Sequence, residues 1–300
     1  MSTPPRTLNE LFFGAMDRSA SRPVAMRVKR GGTWVGTSFA ELLSQVQAFS
    51  IGLHELGVNA GDRLAILSEN RPEWAVTDFA CLACRCADVP VYPTLPAHQI
   101  EYILRDSGAV AVCCSSAAQL GKILEIRGNL PALKTIVVFD ADAATGGALT
   151  FDSVLAKGRA AIPKYPTWRT DALAVKPDAP ATEIYTSGTT GDPKGVMLTH
   201  GNITSDVMAG LQVLDLRQSD ECLSFLPLSH IFERMAGHYC MTQQGAIINY
   251  ATSIESVPIE MGELRPTVVC SVPRLYEKIY ARVLENAMAG SPTKQKIFLW

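Results

Sequence analysis

An α/β fold, with parallel-rich sheets flanked by helices, is the class this sequence predicts, and three observations predict it. Short apolar runs and amphipathic runs alternate from about Asp62 to the end of the chain. The apolar runs are rich in Val and Ile, as strands buried on both faces are. Hydrophobic residues make up 47% of the chain against 19% charged, which is enough to build a core and unlike the composition of a disordered segment. At 300 residues there is room for two domains or one large lobed unit.

The elements follow in order. Ser38 and Glu41 have capping-box spacing, and Leu42, Val46, Phe49, Leu53 and Leu56 then repeat at helical spacing up to a stop at Gly57. RLAIL (63–67) reads as a strand, a helix starts near Pro72, and VPVYP (89–93) reads as the next strand. The helical HQIEYILRDSG (98–108), the strand AVAVCC (109–114), a helix through Leu120 and Ile123, and the strand TIVVF (135–139) continue the alternation. From about Ala143 to Pro180 the chain is richer in Gly, Pro, Ala and Thr and less periodic, so a subdomain joint is placed there. Alternation resumes with EIYT (183–186), a helix after Asn202, CLSFL (222–226), a helix from about His230 to Thr242, and the strands AIINY (246–250) and TVVCSV (267–272). A last helix begins at Pro273, a favoured first-turn residue, with Leu275, Ile279 and Val283 as its apolar stripe. The expected division is an N-terminal segment (1–60), a first α/β subdomain (61–180) and a second (181–300).

Several function classes are excluded early. Net charge is −2 and no run of Lys and Arg forms a basic face, so no nucleic acid is expected as partner. The N-terminus lacks the basic-then-apolar pattern of a secretory signal, and no window reaches the ~18 apolar residues of a bilayer span. A cytoplasmic protein that meets lipid only from the surface is expected. Cys81, Cys84 and Cys86 have no second Cys or His pair at metal-binding spacing, so the eight cysteines are read as reduced, small hydrophobes. Arg71 and Glu73 read as a solvated helix start, and Arg234 beside Glu233 as a salt-bridged structural residue.

The chemistry is carried by the string Tyr185-Thr-Ser-Gly-Thr-Thr-Gly-Asp-Pro-Lys-Gly195. Glycines at 188, 191 and 195 let the backbone turn sharply and approach a ligand, so that consecutive N–H groups can converge on anionic oxygens. Ser187, Thr189 and Thr190 add hydroxyl donors and Lys194 adds a positive charge, which together suit a polyphosphate. The string is not a Walker A loop, because Asp192 follows Gly191 and no Gly-Lys-Ser/Thr comes after it. Nor is Ser187 in a nucleophile elbow, which needs glycine where Tyr185 and Thr189 stand. An ordinary Gly/Ser/Thr surface turn is the plain alternative, and the length of the string in a strand–loop setting argues against it.

This string resembles the phosphate-binding signature of the AMP-forming adenylate superfamily of acyl-CoA synthetases, luciferases and peptide-synthetase adenylation domains. The resemblance implies the large N-terminal domain of such an enzyme, built from two α/β subdomains, with ATP and Mg²⁺ as cofactors. It implies that Thr186 approaches the Mg²⁺, that Ser187, Gly188, Thr189, Thr190 and Gly191 cradle the β- and γ-phosphates, and that Lys194 offsets charge during the reaction. A second block, Leu226-Pro-Leu-Ser-His-Ile-Phe-Glu-Arg234, looks like the family's next motif. By that likeness His230 and Phe232 line the junction of the carboxylate and thiol sites, with His230 as a catalytic candidate.

Within the superfamily, LPLSHIFER, GDRLAILSENRPEW (61–74), PTLPAHQIEYILRDSGA (93–109) and PTVVCSVPRLYEKIYARV (266–283) look like bacterial long-chain fatty acid–CoA ligases. A long-chain fatty acid and coenzyme A are the implied substrates. No acid lies between Cys222 and Ser229 to hold an amino-acid ammonium, which agrees with an uncharged acyl tail. Two alternatives stay open: transfer of the acyl group to a carrier protein, and a shortened, non-catalytic nucleotide- or acyl-binding module. The ribose-binding and acidic metal-binding residues of the family and its mobile C-terminal domain have no counterpart here, and the apolar IFLW before the end suggests that the natural domain continues. A homodimer and loose membrane contact are common in the family, and nothing in this sequence requires either.

Overall fold

The computed structural model describes residues 4–186 and 192–291, with Gln295 and Phe298. Its framework is a seven-stranded sheet made of β3 (Arg63–Leu67), β4 (Ala87–Val91), β5 (Ala111–Cys114), β6 (Thr135–Val138), β7 (Leu149–Thr150), β8 (Pro180–Thr186) and β9 (Lys194–Thr199). The order is β7-β6-β5-β3-β4-β8-β9, parallel throughout except for the antiparallel edge strand β9. Because side chains alternate along a strand, the central strands β3, β5 and β6 each feed two cores. Leu64 and Ile66 point into one with Val76, Phe79, Val46 and Phe49, from the helices Pro72–Ala83 and Phe39–Glu55. Ala65 and Leu67 point into the other with Ile100, Ile103, Leu120 and Ile123, from the helices Ala97–Ser107 and Ala117–Ile126. Helices therefore cover both faces, as the alternating pattern predicts for buried parallel strands.

A second sheet draws distant parts of the chain together. Strands β10 (Glu221–Ser224) and β11 (Ile247–Tyr250) continue in parallel with β1 (Met26–Arg30), and β2 (Thr33–Thr37) closes the edge antiparallel to β1. Sheets and sequence segments thus do not coincide. β1 and β2, from the first sixty residues, pair with the 221–250 region, and β8 and β9, beyond residue 180, end the larger sheet.

The expected capping box and the helix stop both have a structural basis. Ser38 Oγ accepts from the Glu41 N–H at 3.1 Å, and the Glu41 carboxylate accepts from the Ser38 N–H at 2.8 Å. Gly57, at φ +89°, supplies the left-handed residue that ends the helix. The region expected to be a joint differs: it holds the helix Phe151–Ala161, packed along Phe39–Glu55. The Gly and Ala that weaken the helical pattern are what let the two backbones approach, with Gly52 and Gly158 at the crossing. The run TVVCSV (267–272) meets β10 at one bridge, Cys222 to Val268, and forms no further strand. The final helix, Pro273–Met288, starts where expected, but of its stripe only Leu275 packs against Leu223, Phe225 and Val257, while Ile279 and Val283 are exposed.

Asn9 is a buried polar tie, donating to the carbonyls of Leu82 at 3.0 Å and Ala172 at 2.7 Å. It pins the N-terminal helix Leu8–Ser19, whose Phe12 stacks on Phe79, against two later helices. Changing Asn9 to Ala should lower stability by about 1–3 kcal/mol, since the tie between the helices is lost and the Leu82 carbonyl keeps only the Arg85 N–H as donor; a urea midpoint equal to wild type would refute this. The cysteines at 81, 84 and 86 are free thiols, and burial raises the pKa of Cys81 and Cys84.

Candidate active site

The loop-bearing hairpin is built by β8 and β9. Thr186 and Lys194 face each other in register, so the chain leaves and re-enters the sheet at neighbouring positions. Ser187, Gly188, Thr189, Thr190 and Gly191 lie outside the described residues. Tyr185 anchors the hairpin from below: its hydroxyl hydrogen-bonds Asp106 at 2.6 Å and Glu183 at 2.8 Å. Burial first, then the two carboxylates, push its pKa far up, so it stays a neutral phenol. Gly195 makes this possible, because a Cβ there would overlap the Glu183 carboxylate. Thr186 and Lys194 are both exposed at the top of the hairpin.

The hairpin opens on a cleft of about 440 Å³ that brings Thr186, Pro193 and His230 together. Leu95, Ile103, Ile184 and Ile231 make much of its lining apolar, with Tyr92 and Gln99 adding polar edges. His230 caps the helical turn Ile231–Glu233, its Nδ1 accepting from the Phe232 N–H at 3.2 Å. That bond leaves the proton of the neutral ring on Nε2, so a ligand would meet a donor there. Phe232 departs from expectation: it is 42% exposed and is not among the residues lining this cleft, whereas its neighbour Ile231 is. Thr186 supplies a single hydroxyl, and among the described residues no group of three His, Cys, Asp or Glu side chains could hold a metal ion. Among the described residues Thr186 is thus the one expected magnesium contact, with no acidic cluster beside it.

Several residues that set this geometry escaped the sequence reading. Asn70 donates to Leu226 O at 2.7 Å and to Ser224 Oγ at 3.0 Å, and accepts from the Leu228 N–H at 2.9 Å. It thereby fixes the loop that carries His230. Ser224 in turn donates to the buried Glu233 at 2.6 Å, and burial lifts the Glu233 pKa to about 7. Arg234 has the salt-bridged structural role expected of it, though not through its sequence neighbour Glu233. Arg234 turns into the core to Asp78 and Asp88, because it continues into a π-helical stretch, Arg234–Cys240, whose wide turns put Arg234, His238 and Tyr239 all against Asp78. Arg71 and Glu73 are likewise no solvated pair: Arg71 bonds Glu73 at 2.9 Å and Asp140 at 3.0 Å, with Glu73 buried.

Three relatives set this site in context. The chain is 35% identical to the long-chain-fatty-acid–CoA ligase FadD15 of Mycobacterium bovis, over 89% of this chain and 43% of that protein. It is 32% identical to long chain acyl-CoA synthetase 7, peroxisomal, of Arabidopsis thaliana, over 97% of this chain and 42% of that one. The chain thus spans less than half the length of these curated relatives. The fold matches the crystal structure of a long-chain-fatty-acid-CoA ligase (FadD1) from Archaeoglobus fulgidus with a TM-score of 0.77 at 18% identity, over 95% of this chain and 55% of that one. A hairpin that closes on Thr186 and Lys194, set in a doubly covered parallel sheet, agrees with the family model that matches residues 14–297, and the chain belongs to the AMP-binding enzyme family.

Proposed function

We propose that this chain is the N-terminal part of an ATP-dependent long-chain fatty acid–CoA ligase, the part that receives Mg-ATP and the acyl carboxylate. The observation that carries this reading is the meeting of Thr186, Pro193 and His230 at one cleft, with Lys194 beside it as the register partner of Thr186 on the strands that flank the Gly/Ser/Thr string. The names of the relatives support the substrate class. In the reaction, a fatty carboxylate oxygen attacks the α-phosphorus of ATP, the bond to the bridging oxygen breaks, and pyrophosphate leaves. The thiol of coenzyme A then displaces AMP from the acyl-AMP.

The work assigned to this chain is electrostatic and positional. Backbone N–H groups and hydroxyls of 187–191 hold the β- and γ-phosphates, and Lys194 offsets charge on the departing pyrophosphate. Magnesium enters as the Mg-ATP substrate, with Thr186 beside it. His230 offers Nε2–H to an oxygen at the reacting centre, and Ile184 and Ile231 line an apolar side suited to an uncharged tail. Phe232 stays a proposed wall of the thiol side. A cytoplasmic protein that takes its acid from a membrane surface fits this substrate.

The test has two arms. Titration calorimetry with Mg-ATP should give about tenfold or weaker binding for Lys194→Ala, the value of one charge-assisted contact; unchanged affinity would remove the loop from the reading. AMP release by the protein purified from its own cells should need both palmitate and coenzyme A, and release that instead needs a holo-carrier protein would overturn the acceptor.

A further inference from the structure

The residue that grips both sides of the cleft is one that neither touches it nor faces solvent. Arg234 is fully buried and sits one turn after His230, its N–H donating to the His230 carbonyl at 3.2 Å. Its guanidinium crosses into the large sheet. Nη1 donates to Asp88 Oδ1 and to Thr182 Oγ1, both at 2.8 Å, and Nη2 donates to Asp88 and to Asp78. Asp88 lies on β4 and Thr182 on β8, and these two are register partners across the junction of the strands. Thr182 Oγ1 also donates to Asp88 Oδ1 at 2.8 Å, which closes the link. The guanidinium is packed at 5.3 Å from the Trp74 ring and 5.4 Å from the Tyr239 ring, so it has little room to move.

Each strand it grips runs on to the cleft. β4 leads to Pro90 and Tyr92, and β8 leads to Ile184, Tyr185 and Thr186, whose register partner is Lys194. The helix that carries Arg234 begins at His230. A single planar cation, with five donors in fixed directions, thus joins the His230 side to the phosphate side at a site several residues below the reacting atoms. The charges also balance. Burial works to raise the Asp78 pKa, but Arg234 and His238 overcome it and hold this acid ionised. At Asp88 burial, with the Asp78 charge, outweighs Arg234 and raises the pKa to about 7. The guanidinium therefore faces a firmly ionised Asp78 and an Asp88 that takes up a proton near neutral pH, which limits the uncompensated charge in a dry core.

We propose that Arg234 is a positioning residue that sets the distance between His230 and the Thr186–Lys194 hairpin. The inference rests on the functional reading above for its kinetic consequence, and on the bond pattern alone for its structural one. The informative variant is Thr182→Val, which is isosteric and removes the Arg234–Thr182 and Thr182–Asp88 bonds that tie β8 into the cluster, leaving the bonds from Arg234 to Asp78 and Asp88 in place. Arg234→Lys, which keeps the charge but loses the fork, is the harsher companion.

Two measurements decide. In fatty acid-dependent AMP formation by the protein from its own cells, Thr182→Val should lower kcat about tenfold, with KM for ATP held within about twofold. In a His230→Ala background the same change should have little further effect, because the link acts through His230. Hydrogen exchange, which needs no activity, should rise in Thr182→Val at residues 183–186 and 230–234 together, with the rest of the protein unaltered. Absence of AMP formation in the wild type would sink the functional reading, and the exchange result would still decide the link. Unaltered exchange at either segment, or kinetic losses that simply add in the double variant, would overturn the role of Arg234.

Discussion

Replacing Gly158 by alanine is expected to destabilise the protein by about 3 kcal/mol or more, a large effect for one methyl group. The helices Phe39–Glu55 and Phe151–Ala161 cross with backbone against backbone. A Cβ at 158 would land on the Ala48 carbonyl and lie 2.8 Å from the Gly52 nitrogen. At Gly52 the reciprocal contact is with the Val154 carbonyl, and with Val154 Cγ1 at 2.8 Å. Neither side can yield through a rotamer, because carbonyls in a helix are fixed, so the helices must part. Parting them opens the core that holds Phe49 stacked on Phe151 at 4.6 Å. Gly121→Ala is the control. It lies in the helix Ala117–Ile126 with nothing within 4 Å of the new Cβ, and should be neutral or stabilising by about 0.5–1 kcal/mol. Urea midpoints for the two variants check the contrast, and a Gly158→Ala protein as stable as wild type would show that the crossing is not tight.

That crossing also marks where sequence reading stopped. Elements defined by local chemistry were legible: the Ser38–Glu41 box, the first-turn prolines at 72 and 273, and the strands from RLAIL to TIVVF. The strand EIYT that leads into the Gly/Ser/Thr string was legible too, but the returning strand β9 was not, because its exposed Val196 and Met197 give it no buried apolar face to read. What failed was non-local. Gly and Ala weaken a helical pattern whether they mark a joint or a close helix contact, and the sequence around 143–180 does not separate these cases. TVVCSV has strand composition, but a strand also needs a partner edge, and β10 offers it one bridge. Arg234 stands next to Glu233 in sequence, while its partners Asp88 and Asp78 are 146 and 156 residues away. Asn70 gave a faint signal, as an amide between a strand end and a helix-starting proline. Its reach to Leu226 and Leu228 depends on how the two sheets meet.

The Glu233→Gln variant should be more stable than wild type above neutral pH and lose that advantage in acid. Burial raises the Glu233 pKa from 4.5 to about 7, against the Ser224 hydrogen bond, which favours the ionised form. The folded protein therefore keeps a proton that the unfolded chain sheds above about pH 4.5. By linkage, the stability this carboxyl contributes is complete below 4.5 and is lost as pH rises through 7. Glutamine keeps the oxygen that accepts from Ser224 and cannot ionise, so the gap between the two proteins should open between pH 4.5 and 7. It should reach on the order of 2 kcal/mol at pH 8. Asp88, also raised to about 7, and His200, lowered to about 4 by burial, titrate in both proteins and cancel in the difference. Chemical denaturation at pH 5 and pH 8 measures it, and a gap independent of pH would show that Glu233 is ionised throughout. The position of the group gives the result its functional weight. Glu233 Oε2 is buried with no hydrogen-bond partner among the described residues, and Oε1 receives the Ser224 hydroxyl that Asn70 also holds. A charge arriving there strains the support of the His230 loop first, so loss of order at the cleft should precede loss of the fold as the solution becomes alkaline.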